Sequence, residues 1–110
     1  MYCGRDFKPM NQDESRVYGF DFVNDLGSSE KLVSTTWAIS VVQGADSFYP
    51  HRLQGAPFLF TPDGAVQQTG TMQRIGGLIP GVTYCVRAIA VTSDGDQVSL
   101  RSHIYGEAVR

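Results

Sequence analysis

The 110 residues carry 11 acids against 9 bases, a net charge of −2, and 42% of the chain is hydrophobic against 18% charged. This length suits one domain and not two, and the composition is too apolar for a disordered tail. The charges are scattered, with none of the one-sided cationic character that phosphate backbones select, which argues against a nucleic-acid partner.

The first ten residues, MYCGRDFKPM, lack the apolar stretch of a signal peptide, and no window approaches the roughly 18 apolar residues of a membrane span. The expectation is a soluble protein, not exported by the general route and with no membrane partner. Residues 1–15 show neither a period of 2 nor one of 3.6 and read as an extended arm. Its Tyr2, Phe7, Pro9 and Met10 are candidates for wedging into a neighbouring subunit or adding a strand to its sheet. A frayed terminus is the plain alternative. The two cysteines stand far apart: Cys85 reads as a buried small hydrophobe and Cys3 as a free thiol, with a bridge between them as the other possibility.

From Arg16 the run RVYGFDFV alternates and predicts a strand with Tyr18, Phe20 and Phe22 on one face. NDLGSSE supplies a turn. KLVSTTWAISVV, residues 31–42, predicts a central strand with Leu32 ahead of an inward set of Trp37, Ile39 and Val41, rich in the β-branched residues that suit a pleated surface. Between Gln43 and Gln54 no pattern is sustained, so a loop is expected there, followed by a short strand from Ala56 to Phe60. TPDG is a turn signal, and beyond it AVQQTGTMQRI carries Val66 and Met72 with weaker alternation, predicting a strand exposed on one side.

Val82, Tyr84, Val86, Ala88 and Ala90 then alternate with Thr83, Cys85, Arg87, Ile89 and Val91 in a long strand ending at Thr92. SDGD is a hairpin connection, and QVSLRSHIYG returns antiparallel with Val98 and Leu100 on one parity. About seven short strands without an amphipathic helix predict an all-β antiparallel sandwich over residues 16–105, followed by a tail over 106–110.

Leu78-Ile79-Pro80-Gly81-Val82-Thr83-Tyr84 has the spacing of a tyrosine corner, in which Leu anchors the core, Pro-Gly turns the chain and Tyr returns its hydroxyl to upstream backbone. With Trp37 in an early strand and the VRAIAVTSDG hairpin, it makes residues 16–105 resemble a fibronectin type III domain, an immunoglobulin-like fold. A narrower resemblance follows the order of features: Asp13-Glu14-Ser15, Tyr18-Gly19-Phe20-Asp21-Phe22, Leu26-Gly27, Ser34-Thr35-Thr36-Trp37 and the Pro-Gly-Val-Thr-Tyr hairpin. This is similar to the fiber-tail adaptors of tailed bacteriophages. The resemblance implies a virion protein assembled in the host cytoplasm. It would be homo-oligomeric in the particle, attaching fibers or neighbouring tail and portal proteins. Residues 43–75 match nothing in that pattern.

Catalysis finds little support. His51 lies in the irregular stretch and His103 near the last strand, and no local string supplies a G-x-S-x-G elbow or a partner pattern for a cysteine nucleophile. Two Cys and two His at long separations lack zinc spacing, and Asp94-Gly95-Asp96 falls short of the oxygen set of Ca²⁺, so no metal is expected. No phosphate-cradling string or other cofactor motif is present. The candidate contacts are aromatic: Phe48, Tyr49, Phe58 and Phe60 exceed what a sandwich core can use. Beside Arg52 and His51 they suit a protein interface, with loop packing or a carbohydrate face as alternatives. A capsid decoration protein and a carbohydrate-binding module are the competing functions.

Overall fold

The computed structural model describes Phe7 and residues 9–108, and its alternating segments resolve into seven strands. They are β1 (Met10–Asn11), β2 (Ser15–Asp21), β3 (Leu32–Gln43), β4 (Leu53–Phe60), β5 (Gly70–Gly76), β6 (Thr83–Thr92) and β7 (Gln97–Glu107), with short 3₁₀ turns at Val23–Asp25 and Tyr49–Arg52. One sheet has the order β1-β7-β6-β3 and the other β2-β5-β4, and the two pack as a sandwich. All pairings are antiparallel except β1 with β7, which is parallel.

Period-2 patterning places the core. On β6, Tyr84, Val86, Ala88 and Ala90 are buried, and on β7 Leu100, Ser102 and Ile104 join them. Trp37 of β3 lies opposite Ala88, whose small side chain leaves space for the indole. Across the sandwich the indole meets Phe20 of β2, with ring centroids 5.2 Å apart. Phe22, Leu32, Ile39, Ile75 and Leu78 complete the layer between the sheets. Burying a side chain of this kind contributes about 1.5–3 kcal/mol.

The core also contains a polar seam. The Trp37 indole N–H donates to Thr71 Oγ1 on the opposite sheet at 3.0 Å, and the Thr71 hydroxyl donates back to Thr35 Oγ1 at 3.1 Å. Thr35 in turn donates to the carbonyl of Ile89 at 3.3 Å. The seam hydrogen-bonds one sheet to the other through side chains.

Four readings of the sequence need correction. The strand expected to carry Val66 and Met72 begins only at Gly70, and its inward parity is Thr71, Gln73 and Ile75. Met72 faces outward and Val66, ahead of the strand, is 90% exposed. The central strand of a three-stranded sheet is covered on its inner face, and this one uses polar side chains there because they have work to do. Gln73 Nε2 reaches the carbonyls of Gln54 and Gly55 at 3.1 Å, where the β4 register slips, as well as that of Arg74. Residues 10–15 are not an arm: Met10 is fully buried beneath β7, and Phe7 stacks on Tyr18 at 4.7 Å and meets Phe20 at 5.0 Å, its N–H bonded to the His103 carbonyl. The C-terminal tail begins later than residue 106, since β7 runs through Glu107. An added Cβ on buried Gly106 would strike the Ile79 carbonyl. Finally, Cys85 is a free thiol, half-buried and on the outward parity of β6, so it is not a core residue.

Trp37→Ala, which empties the centre of the sandwich, should lower the unfolding free energy by about 3–5 kcal/mol in a denaturant titration. A loss below about 1 kcal/mol would mean that the indole does not hold the two sheets together.

Candidate functional site

The chain between β5 and β6 turns at Ile79-Pro80-Gly81-Val82. Proline presets the second position, and Gly81 takes the left-handed conformation at the third, with φ +83°, while the Val82 N–H closes onto the Ile79 carbonyl at 3.2 Å. Leu78, fully buried, anchors the segment. Two residues into the strand region the fully buried Tyr84 sends its ring back under the turn, where its hydroxyl accepts the Ile79 N–H at 3.0 Å.

That hydroxyl has a second partner which sequence reasoning missed. It donates to Asp46 Oδ2 at 2.7 Å, and Asp46 lies in the β3–β4 loop, 38 residues away. The same carboxylate accepts Arg52 Nε at 2.9 Å and Nη2 at 3.1 Å in a two-pronged ion pair, and the Phe48 N–H at 3.0 Å. The Asp46 side chain is only 3% exposed and that of Arg52 19%. The hydrogen bond from the Arg52 guanidinium is the main cause that holds the Asp46 carboxyl down at about 2, against the opposing effect of burial. Burial, chiefly, pushes the Tyr84 phenol up to about 12. One signal was legible: Asp followed two residues later by an N–H it can accept is an Asx turn, and Asp46-Ser47-Phe48 has that spacing.

The network fixes the 3₁₀ turn Tyr49–Arg52 against the corner and projects aromatic side chains from it. Phe48 is 63% exposed and Tyr49 39%, and the Phe48 ring leans on exposed His51 with centroids 6.0 Å apart. The other candidate contacts separate from this knob. Arg52, one of the candidate contacts, turns inward to Asp46 and does not stand with the exposed aromatics. Phe58, 49% exposed, lies on the outer face of the three-stranded sheet, across from Met72. Met10 and Phe7 are packing residues of the sandwich, and Tyr2 lies outside the described residues.

On the outer face of the other sheet the register places Cys85 between Ser40 and His103, with Arg87 opposite Arg101 one step further along that face. Cys85, Arg87 and Arg101 line an open hollow of about 290 Å³. Among the described residues no three His, Cys, Asp or Glu side chains converge as metal ligands, and no helix is long and apolar enough to cross a membrane.

Compared with known proteins, the chain matches no family model, no curated protein and no solved structure.

Tyr84→Phe removes the link between corner and loop and should cost about 1–2 kcal/mol in chemical denaturation, since it deletes two hydrogen bonds, one of them to a carboxylate. An unchanged midpoint would show that the hydroxyl carries no load at the corner. Because the folded-state pKa of Asp46 is depressed from 3.8 to about 2, its contribution is fully present above the unfolded value and disappears as pH falls through the folded one. Between about pH 5 and pH 2 the native protein should therefore lose about 2 kcal/mol more than Asp46→Asn does, compared by thermal melts across that range.

Proposed function

We propose that this chain is a protein-docking module of a bacteriophage virion, a tail or head–tail adaptor that grips a neighbouring virion protein with the knob formed by Phe48, Tyr49 and His51. The observation that carries the reading is the contrast between the knob's surface and its foundation. Large aromatic rings stand in solvent on a turn whose base is held by a bidentate ion pair, a buried tyrosine hydroxyl and an Asx turn. Exposed rings on a pre-ordered loop lose little conformational freedom on binding, and aromatic side chains are enriched at the centres of protein interfaces. The phage setting rests on the order of short strings from Asp13 to Trp37 and on the Pro-Gly-Val-Thr-Tyr hairpin. The strand order supports an immunoglobulin-like reading of the sandwich: the first strand runs parallel to the last, and Trp37 sits on the strand beside the Tyr84 strand. Within that setting the partner is another virion protein, and the working form is a homo-oligomer around the particle axis.

The test is quantitative mass spectrometry of purified particles, with the copy number of this chain set against those of the portal and the major capsid protein. A portal-sized number supports the adaptor; a capsid-sized number makes it a decoration protein, and absence from particles overturns the virion reading. In the same particles Phe48→Ser with Tyr49→Ser, a pair that leaves Asp46 and Tyr84 in place, should reduce incorporation by more than about tenfold, the effect of losing an aromatic hot spot. Undiminished incorporation of this folded variant would remove the knob as the contact.

A further inference from the structure

The strand register sets the outer face of the three-stranded sheet in rows. Its middle row runs from Gly19 on β2 through Met72 on β5 to Phe58 on β4. A Cβ at residue 19 would stand 3.1 Å from Met72 Cγ, so the methionine side chain lies across the bare backbone of β2. In the next row the Phe60 ring lies in the same way across Gly70, where an added Cβ would overlap it. Two long apolar side chains laid down on glycines make a low, level surface, and Phe58 and Val17 stand exposed on it. None of these apolar side chains packs into the core between the sheets.

The rows on either side of the middle one carry opposite charges. Arg74 pairs with Val17 in the row before, and Asp21 with Gly70 in the row after. Both charged residues are exposed. Arg74 Nη1 donates to the carbonyl and the hydroxyl of Ser15 at 3.3 Å, while Asp21 Oδ1 accepts the Val23 N–H at 3.0 Å and the Thr69 hydroxyl at 2.8 Å. Among the described residues neither has an ion-pair partner. They cannot serve each other within the chain, because two rows separate them by about 14 Å along the strands.

We infer that this face docks against the same face of a second copy of the chain. A two-fold axis along the middle row, perpendicular to the strands, lays Met72 and Phe58 against their own counterparts and carries each outer row onto the opposite row of the second copy. Arg74 of each copy then lies over Gly70 of the other, one strand spacing of about 4.8 Å from Asp21. One operation makes two ion pairs, as an isologous contact requires. The Phe60 ring across Gly70 also offers the guanidinium an aromatic face. A two-fold axis along the strands would instead set Arg74 against Arg74, so the charges select the first arrangement. Three strands of seven residues cover roughly 350 Å² per copy, less than the about 800 Å² of stable complexes, and the pair is accordingly weak and concentration-dependent. The inference rests on neither the virion reading nor the knob, which belongs to the β3–β4 loop.

The experiment is sedimentation equilibrium of the full chain from about 10 µM to about 1 mM, the range that suits a contact of this size. A reversible monomer–dimer equilibrium that weakens with added salt is expected. Arg74→Asp sets like charges against each other at both contacts and should weaken the pair by about tenfold or more, as should Asp21→Arg. An equimolar mixture of the two variants joins opposite charges at both contacts, and should form a mixed dimer close in strength to that of the unaltered chain. A merely structural role for either residue would give no such recovery. Where Asp21→Arg disturbs the turn at Val23, Arg74→Asp and Phe58→Ser, both at exposed positions, still carry the test, and Phe58→Ser should weaken the pair through the apolar row alone. Phe48→Ser with Tyr49→Ser should leave the dimer unchanged. A chain that stays monomeric throughout, a dimer that folded Arg74→Asp leaves intact, a mixture of folded variants no stronger than either alone, or a dimer lost with the knob residues overturns the inference. None of these outcomes bears on the copy number in particles.

Discussion

Tyr84 places one hydroxyl where two unrelated loops meet, and both of its hydrogen-bonding capacities are committed there. It accepts from Ile79, which fixes the turn between the sheets, and donates to Asp46, which fixes the loop that carries the aromatic side chains. Each bond makes the other more effective. A hydroxyl held by the backbone of a proline-preset turn is already oriented when it meets the carboxylate, and a carboxylate clamped by Arg52 is already charged when it meets the hydroxyl. In a low-dielectric setting such a chain is worth having only when every member is satisfied. Asp46 meets that condition: its oxygens accept from Arg52, Tyr84 and Phe48, leaving little unsatisfied charge in the space beneath the knob.

The same logic runs through the middle of the sandwich. A core made only of aliphatic and aromatic residues would hold the sheets together without fixing their relative position. The Trp37–Thr71–Thr35 chain does fix it, because a one-residue slip of β5 in its pairing with β2 and β4 would turn Thr71 away from the indole. Gln73 has a comparable role on the other side of the strand order. The bulge in β4 between Gln54 and Phe58 frees backbone carbonyls on a sheet edge, and the buried amide of Gln73 takes them up. With Gly55 at φ +75° and Pro57 in the same stretch, β4 is a broken edge that offers a poor template for a further strand.

These features mark the limit of what the sequence could disclose. β6 was legible as a strand because a long run rich in valine, isoleucine and alanine ends at the SDGD turn, although its inward parity was not, since Ile89 and Val91 are as apolar as Val86 and Ala88; Trp37, Ile39, Phe20 and Phe22 declared themselves by alternation. The inward face of β5 was not legible because it includes Thr71 and Gln73, whose burial makes sense only once the indole above and the bulge beside them are known. Met10 was assigned to an arm because a two-residue strand is too short to show a period, and its burial comes from a parallel pairing with residues almost a whole chain away. Arg52 was grouped with the candidate contacts for a similar reason. Its partner is only six residues distant, yet a loop without periodicity gives no indication of which side chains face each other. Glu30 was hidden in a stretch that reads as a plain turn, and its burial depends on Thr92, a residue far along the chain.

The two poles thus differ in how they treat a buried carboxylate, and the difference follows from the connections that build them. At the corner pole the loop between β3 and β4 is long enough to bring an arginine back onto its own aspartate, so the charge is neutralised within the chain and the loop becomes a rigid support. At the opposite pole the Gly27–Glu30 turn is too tight to return a cation to its own carboxylate. The carboxylate is held instead by the Gly27 N–H of its own turn and by the Thr92 hydroxyl, which keep it below its ordinary range. A carboxylate in the first situation is a structural part, because every donor it needs is already fixed in place. A carboxylate in the second is held by neutral donors, a backbone N–H and a hydroxyl, and so ties a tight turn to the end of β6 without an ion pair among the described residues.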